Sequence, residues 1–243
     1  MLRFFRKIRV KLLAEGRAGK YLIYAIGEIV LVVIGILIAL WLNNWNTARK
    51  DGDKELSLLA EMKQNLVDDL VDCRYNININ QQLHKGSKVV LRHLEERTTF
   101  HDSLRLSYGG LWGATSQLMN TSAYDNLSSI GFDLVQNDSL RRNITKLYSE
   151  RYPYIERIET NFETKIQMNE VLPQVNAKIV IDTMWVSGYP LDLKALQSDY
   201  AFHGLLRNIV FSKNFMVGRY QQLEKQLEDL IEQIDTELKN RNS

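Results

Sequence analysis

The sequence is poor in cysteine and histidine, the residues that form disulfides or bind metals, with one cysteine and four histidines among 243 residues. It also contains only three prolines. The single cysteine, Cys73, excludes an internal disulfide and a cysteine-based zinc site. His84, His93, His101 and His203 show neither H-x-x-x-H nor H-E-x-x-H spacing, so they predict packed or solvated side chains. We therefore expect no metal and no cofactor. Because Cys73 falls on an apolar helical seam, we expect a buried small apolar residue, with an unpaired thiol as the alternative.

Catalytic motifs are also missing from the chain. The Gly109-Gly110-x-x-Gly113 run is not followed by Gly-Lys-Ser/Thr, so it is not a P-loop. No G-x-S-x-G nucleophile elbow occurs. Carboxylates are plentiful, but their i, i+4 spacing is typical of solvated helix faces. The sequence therefore predicts that the protein is not an enzyme.

One long apolar run organises the chain. Residues 21–42 (YLIYAIGEIVLVVIGILIALWL) contain a single charged residue, Glu28. As a helix the run reaches about 33 Å, enough to cross a hydrocarbon core of about 30 Å. It is longer than the apolar region of a signal peptide, and no small-x-small cleavage site follows it. The run therefore predicts an uncleaved transmembrane helix, or signal-anchor, with Tyr21 and Tyr24 at one interface and Trp41 and Trp45 at the other.

The charges that flank this run predict its orientation. Residues 1–20 carry seven cations and one anion, whereas Asp51, Asp53 and Glu55 dilute the cations that follow residue 42. This asymmetry favours a cytoplasmic N-terminus. Apolar residues at helical spacing predict an amphipathic arm over residues 1–20, with a disordered basic tail as the alternative. We expect the arm to contact anionic lipids rather than nucleic acid, through Arg3, Arg6, Lys7, Arg9 and Lys11.

An acid inside a membrane span costs roughly 2.5–3.5 kcal/mol on insertion scales, so Glu28 calls for an explanation. On a helix Glu28 shares a face with Ala25, Gly35 and Ala39, and Gly35-x-x-x-Ala39 is a pattern that lets helices approach closely. The first interpretation is a hydrogen bond from Glu28 across a helix pair. The second is a proton-carrying carboxylate, and the third is a side chain that reaches the inner headgroups.

Residues 43–243 read as helical. Apolar residues step by three or four from Leu56 to Ile77, and this helix is expected to run from the membrane to about Arg97. Similar stripes cover residues 140–166 and 216–238, the last over about three coiled-coil heptads. Long amphipathic helices cannot bury their stripes alone, so the sequence predicts an all-α protein with an antiparallel helical bundle. The predicted domains are residues 1–20, 21–42 and 43–243.

The segments between the stripes give further predictions. Residues 98–120 read as a connection, residues 121–130 as a short helix closed by Gly131, and Asn137 as a helix start. A kink is expected at Pro153 and a helix end at Pro173. Residues 178–186 (KIVIDTMWV) are the one β-like stretch, bounded by Ser187-Gly188-Tyr189-Pro190, and the sequence identifies no pairing partner for them.

Several blocks of the sequence resemble a family of uncharacterised single-pass membrane proteins of Gram-negative bacteria, a domain of unknown function. They are FFRKIRVKLLAEG, YAIGEIVLVVIGILIAL with NNWN, NTSAYDNLSSIGFDLVQNDSLRRNITKLY and LLRNIVFSKNFMVGRYQQL. The resemblance covers nearly the whole chain. It implies a single-pass bacterial membrane protein and no activity. Together with the charge asymmetry, we expect a place in the inner membrane with residues 43–243 in the periplasm.

These observations predict a membrane-anchored interaction or scaffold protein. Its expected partners are the lipid bilayer and either a second copy of the chain or another membrane protein. Two alternatives stay open. One is an auxiliary subunit of an ion-driven envelope machine that uses Glu28, and the other is a periplasmic ligand sensor.

Overall fold

The computed structural model describes residues 18–241, without the side chains of Ala18, Lys20, Tyr21 and Tyr24. The predicted amphipathic arm, with its cations, therefore lies outside the described residues. The fold is all-α, as predicted, with one two-stranded sheet. The chain divides into two compact units, residues 1–55 and 56–243, and the first helix, α1, covers Ala18–Glu95.

The first unit contributes the apolar part of α1. Among the described residues, α1 is the one helix that is long and apolar enough to cross a membrane. Its most apolar 18-residue window has a mean hydropathy of 2.7, and none of that window is buried. Large side chains from Leu22 to Leu42 are about half exposed or more. The predicted span is thus a helix whose apolar surface faces outward on all sides.

The second unit contains the rest of α1, from residue 56, and all the later elements. After α1 come a 3-10 turn at Asp102–Leu104 and helices α2 (Arg105–Gly109) and α3 (Ser122–Ile130), with a second 3-10 turn at Phe132–Leu134. One continuous run, the middle helix, then joins α4 (Asp138–Lys146), α5 (Tyr152–Ile158) and α6 (Leu172–Lys178) through π turns. Strands β1 (Ile179–Thr183) and β2 (Ser187–Pro190) precede α7 (Leu193–Gln197) and α8 (Tyr200–Arg241).

The bundle consists of α1, the middle helix and α8. Ion pairs join Lys63 to Asp235 at 2.5 Å and Glu95 to Arg207 at 2.5 Å, so α8 is antiparallel to α1. Asn143 likewise bonds Gln233 at 2.6 Å, and Phe162 packs on Phe215, so α8 is antiparallel to the middle helix as well. Since both are antiparallel to α8, α1 and the middle helix run in the same direction. The connection between them therefore returns along the bundle.

The middle helix follows the predicted apolar stripe only in part: Leu140, Ile144, Leu147 and Ile158 are buried as predicted, but the pattern changes further along. From residue 155 to residue 175 every fourth side chain is buried, namely Ile155, Glu159, Glu163, Gln167, Val171 and Val175. In an α-helix a step of four residues drifts by about 40°. Wider π turns at Glu159–Thr164 and Gln167–Val171 absorb that drift, and a third π turn, at Leu147–Arg151, precedes this stretch. Phe162 and Ile166, predicted for the stripe, are only partly buried.

The same π turns accommodate two prolines. The turns at residues 147–151 and 167–171 each end two residues before a proline, Pro153 and Pro173. In both cases the residue before the proline donates its amide across the wider turn, Tyr152 to Leu147 and Leu172 to Gln167. The disturbance expected at Pro153 therefore takes the form of a π turn. The predicted helix end at Pro173 was wrong, since the helix continues to Lys178.

Other predicted elements are confirmed with small changes. The Asn137 side chain accepts hydrogen bonds from the amides of Ser139 and Leu140 at the start of α4. Gly131 closes α3 with φ +117°. The β-like stretch forms β1, and its antiparallel partner is β2, the segment that the sequence suggested only as its boundary. Residues 98–120 also contain the short helix α2, which packs against β2.

The core consists of two apolar clusters. One contains Leu59, Met62, Ile144 and Leu227 among many others, and the second contains residues such as Val90, Val171 and Ile209. Between the clusters lie buried polar side chains from all three long helices. We call this set the polar layer: Asn76, Asn80, Ser87, Glu159, Glu163, Gln167, Ser212 and Lys213.

Candidate functional site

The association face predicted from the sequence lies in the first unit. Ala25, Glu28, Gly35 and Ala39 share one side of α1 by helical geometry. Ala25 and Glu28 are partly exposed, and a Cβ atom built on Gly35 meets no neighbouring atom within 4 Å. This face of the helix is therefore open to the close approach of another helix.

A second site lies in the second unit, residues 56–243, which we call the body. Here residues 113–121 form an irregular segment that we call the strap. The strap crosses from the Leu83 region of α1 to the start of α3. Three carboxylates accept its backbone amides: Glu159 that of Gln117 at 3.0 Å, Asp72 that of Leu118 at 2.8 Å, and Asp69 that of Asn120 at 3.0 Å. Such charge-assisted bonds are roughly twice as strong as neutral ones. Side chains, rather than a β-ladder, thus hold these three strap amides.

Asp69 is the most deeply buried of the three carboxylates, at 2% exposure. Burial raises its pKa from 3.8 to about 6, against the opposing effect of hydrogen bonds from the Tyr152 hydroxyl and the Asn120 amide. The neighbouring carboxylates of Asp68 and Asp72 raise the pKa further. Asp69 therefore changes its protonation state near neutral pH while it faces the strap.

Glu159 holds the strap from the middle helix. Its carboxylate accepts hydrogen bonds from the Tyr220 hydroxyl at 2.7 Å and the Ser116 hydroxyl at 3.2 Å, in addition to the Gln117 amide. Burial raises the pKa of Glu159, while these bonds oppose the rise. Burial and the nearby Glu159 also raise the pKa of Tyr220. The hydroxyl of Tyr220 therefore remains a donor at physiological pH.

A buried ion pair holds the first residue of the strap. The Lys213 ammonium donates to the carboxylate of Glu163 and to the carbonyl of Gly113, and both charged side chains are 1% exposed. Gln167 accepts the Gly113 amide at 3.0 Å. Burial lowers the pKa of Lys213, and the adjacent Glu163 opposes that change. Removing either partner would leave the other charge buried and unpaired, which is strongly destabilising.

The polar layer is not fully satisfied. Four of its buried atoms have no hydrogen-bond partner among the described residues: Asn80 Oδ1, Ser87 Oγ, Glu163 Oε2 and Gln167 Nε2. A buried polar atom without a partner costs about 1–3 kcal/mol.

A groove of about 460 Å³ runs beside the strap. Its floor contains Ile79 and Leu83, and its rim carries the exposed rings of Tyr75 and Trp185, at 60% and 55% exposure. Asp72 is its one charged lining residue, and no lysine, arginine or histidine is among its described lining residues. Amide and hydroxyl groups complete the lining, from Asn76, Gln82, Thr115 and Ser116.

Trp185 is held at the groove by an unusual backbone. It lies at the tip of the β1–β2 hairpin with φ +62°, in the left-handed region that costs a non-glycine residue about 1–2 kcal/mol. Its ring packs against Trp112, with centroids 5.9 Å apart. Gly113 has φ +148°, and a Cβ atom there would lie 3.3 Å from the Trp185 Nε1. The glycine thus lets the indole lie close against the strap.

The cysteine and the histidines, considered in the sequence as possible ligands, do not come together in one site. Cys73 is buried, as predicted, and burial raises its pKa to about 12. The histidines take part in separate contacts: His93 bonds Tyr108 at 2.8 Å, His84 bonds the Val210 carbonyl at 2.9 Å, and His203 bonds the Leu196 carbonyl at 3.2 Å. The described residues contain no cluster of three or more potential metal ligands.

The sequence did not predict the strap. It also did not predict the three carboxylates that accept the strap amides, Asp69, Asp72 and Glu159, which we call the clamp. It treated residues 98–120 as a simple connection and the carboxylates of the helices as solvated. One signal was present: Glu159, Glu163 and Gln167 recur every four residues between Ile155 and Val171, in register with buried apolar positions. Polar residues in such a register predict a buried network.

A comparison with protein-family models gives a match. A family model, described as a family of unknown function (DUF6090), matches residues 28–214, which is more than half of the chain. The matched region includes Glu28, Gly35, the strap and the groove, whereas the basic opening FFRKIR precedes it. No curated protein and no solved structure matches the sequence at a significant level.

Proposed function

The chain belongs to the DUF6090 family of unknown function, and from that premise we propose a membrane-anchored interaction protein. The observation that carries this proposal is the exposure of the apolar part of α1, none of whose most apolar 18-residue window is buried. A water-soluble protein seldom exposes so large an apolar surface. In a bilayer the same surface faces lipid, and the helix satisfies its own backbone groups.

In the proposed arrangement the chain crosses the bacterial inner membrane once. The cationic segment 1–20 stays in the cytoplasm against anionic lipids, and the bundle lies in the periplasm. This topology rests on the charge asymmetry of the sequence, since Lys and Arg are retained on the cytoplasmic side. The partner bound in the membrane is a second copy of the chain, which contacts the face that contains Glu28, Gly35 and Ala39.

We propose binding rather than catalysis because the buried carboxylates of the body already hold other parts of the same chain. Asp69, Asp72 and Glu159 accept strap amides, and Glu163 accepts the Lys213 ammonium. The clamp and the ion pair thus use these groups to fix the shape of the body. A fixed shape is what a binding surface needs, since less order has to be created on association.

Disulfide crosslinking in native membranes tests the association. Ala39→Cys places a thiol on the proposed face, and Val30→Cys places one about 160° round the helix from Glu28, at 100° per residue. The native Cys73 stays in the background because it is buried and its pKa is raised. We expect a crosslinked dimer from Ala39→Cys and none from Val30→Cys. Equal crosslinking at both positions would show that the face has no role.

Substitutions at the same face separate association from proton transfer. Gly35→Leu should prevent crosslinking at residue 39, because a large side chain keeps the helices apart. Val30→Leu, its control, should leave crosslinking unchanged. Glu28→Gln keeps a hydrogen-bonding group but cannot carry a proton. We expect Glu28→Gln to crosslink as the parent does, and loss of crosslinking would favour a role for the ionisable group.

Fractionation and reporter fusions test the anchor and its orientation. The full chain should stay in the membrane pellet after carbonate extraction and should dissolve in detergent. A periplasm-active phosphatase should be active when fused to residue 243, and a cytoplasm-active fluorescent protein should be fluorescent when fused to residue 1. Release by carbonate would refute the anchor, and the reverse reporter pattern would refute the orientation alone.

A further inference from the structure

We propose that the groove beside the strap is a binding site for a small organic cation, an ammonium or guanidinium group carried on an apolar body. The site is bounded by the rings of Tyr75 and Trp185, the carboxylate of Asp72 and the floor formed by Ile79 and Leu83. All of these residues lie in the unit 56–243. The inference is therefore independent of the membrane topology and the association proposed above.

The charge of the groove selects a cation. Asp72 is the one charged residue in its described lining. One oxygen of that carboxylate, Oδ2, accepts the Leu118 amide at 2.8 Å and the Asn76 side chain at 3.0 Å. The other oxygen makes no hydrogen bond among the described residues, so it can accept one from a ligand. An anion would face this carboxylate with no positive side chain in the lining to offset it.

The aromatic rim selects the same class of ligand. A cation within about 6 Å of a ring centroid is attracted by the negative face of the ring, most strongly by tryptophan. Tyr75 and Trp185 expose more than half of their surfaces, so their rings are accessible from solvent. Large exposed aromatic residues at a concave surface are typical of binding sites.

The backbone around Trp185 shows that the ring is positioned at a cost. A left-handed residue at the hairpin tip, a supporting Trp112 ring and a glycine at residue 113 all hold the indole beside the groove. Strain of this kind persists only where the surroundings impose it, and it is concentrated at functional sites. A ring positioned in advance loses little freedom when a ligand binds.

The size of the groove limits the ligand. About 460 Å³ lies within the range of about 300–1,000 Å³ that is typical of small-molecule pockets. The apolar floor accommodates a ring or a short alkyl chain, while the exposed amide group of Gln82 can bond polar substituents. The groove is open to solvent on one side, so we expect modest affinity for a small probe, on the order of 0.1–1 mM.

The test uses three probes of equal size and different charge. They are 2-phenylethylammonium, the neutral 2-phenylethanol and the anion phenylacetate. Each is titrated calorimetrically into the full-length protein in non-ionic detergent, with empty micelles as the blank. We expect the cation to bind at least about 10-fold more tightly than the alcohol, because only the cation uses the carboxylate and the ring faces. The anion should bind more weakly than the alcohol.

Matched variants assign the binding to this groove. Trp185→Ala and Asp72→Asn should each weaken cation binding by about 5–10-fold, and Trp185→Phe should fall between Ala and the parent. The controls are Tyr200→Ala, an exposed aromatic residue outside the groove lining, and Asp68→Asn, an exposed carboxylate outside it. Neither control should change the affinity. Far-UV circular dichroism verifies that each variant keeps its helices.

Three results would overturn the inference. The first is equal affinity for the cation and the alcohol, which would leave only an apolar contact. The second is cation binding that is unchanged in folded Trp185→Ala, which would place the site elsewhere. The third is no saturable binding of the cation up to about 10 mM, an affinity too weak for a specific site.

Discussion

The most direct test of the strap clamp is the substitution Asp69→Asn. Burial raises the pKa of Asp69 from 3.8 to about 6, so the folded protein binds a proton there more tightly than the unfolded chain does. The resulting stabilisation is fully present below pH 3.8 and is lost as the pH rises through about 6. Above pH 7 the ionised, buried carboxylate therefore weakens the fold relative to a neutral group.

The size of the effect follows from the pKa shift. A shift of about 2.2 units, from 3.8 to about 6, corresponds to about 3 kcal/mol at 1.36 kcal/mol per unit. Little solvent screening reduces this figure, because Asp69 is 2% exposed. Asparagine cannot ionise, yet its carbonyl can still accept the Asn120 amide. The unfolding free energy of Asp69→Asn minus that of the parent should therefore rise by about 2.4 kcal/mol between pH 4 and pH 7.5, and the rest of the roughly 3 kcal/mol lies below pH 4.

Urea unfolding of the full-length protein in non-ionic detergent, followed by far-UV circular dichroism, measures this difference. Comparing the variant with the parent at each pH removes the contributions of all other titrating groups, including Glu159, whose pKa is also raised. Glu61→Gln is the control, since Glu61 is exposed on the same helix and is not among the groups that shift the pKa of Asp69, and it should not reproduce the rise. A pH-independent difference for Asp69→Asn would refute the assigned role of Asp69.

Three further substitutions test separate parts of the body by the same unfolding measurement. Asn137→Ala should destabilise the protein by about 1 kcal/mol through loss of the α4 cap, and Asn137→Ser, which keeps an acceptor at the cap without placing a charge against Glu237, should restore most of that loss. Gly109→Ala should destabilise more strongly, because its Cβ atom would lie 2.6 Å from the backbone nitrogen of Ser187; an unchanged midpoint would show that α2 can move away from β2. Lys213→Met should cost about 3–5 kcal/mol by leaving Glu163 buried without its partner, and adding Glu163→Leu should recover most of it.

Much of the fold could be predicted from the sequence because its long elements have strong periodicity. The apolar run, the stripes of α1 and α8 and the Asn137 cap each depend on local patterns, and the structure places helices there. The β1 strand was predicted as well. Its partner was missed because Ser187-Gly188-Tyr189-Pro190 contains turn residues, and only the pairing with β1 makes it a strand.

The clamp and the groove could not be predicted in the same way, because they depend on contacts between distant segments. Asp69 and Asn120 are joined across the bundle, and so are Tyr220 and Glu159. A helical wheel assumes 3.6 residues per turn, whereas the π turns shift the buried side of the middle helix. An α-helical reading therefore placed Phe162 in the core in place of Glu163. The predicted roles of Glu28, Gly35 and Ala39 stay predictions.

The polar layer between the two apolar clusters has a consequence for how the body unfolds. Each cluster is held by its own contacts, and the layer that joins them contains buried atoms without partners. Amide hydrogen exchange should therefore divide the bundle into two cooperative blocks with different protection, one on each side of Lys213. An event that weakens one block, such as release of a ligand or a proton, would then leave the other folded. The body would thus behave as two stacked modules joined by a weak seam.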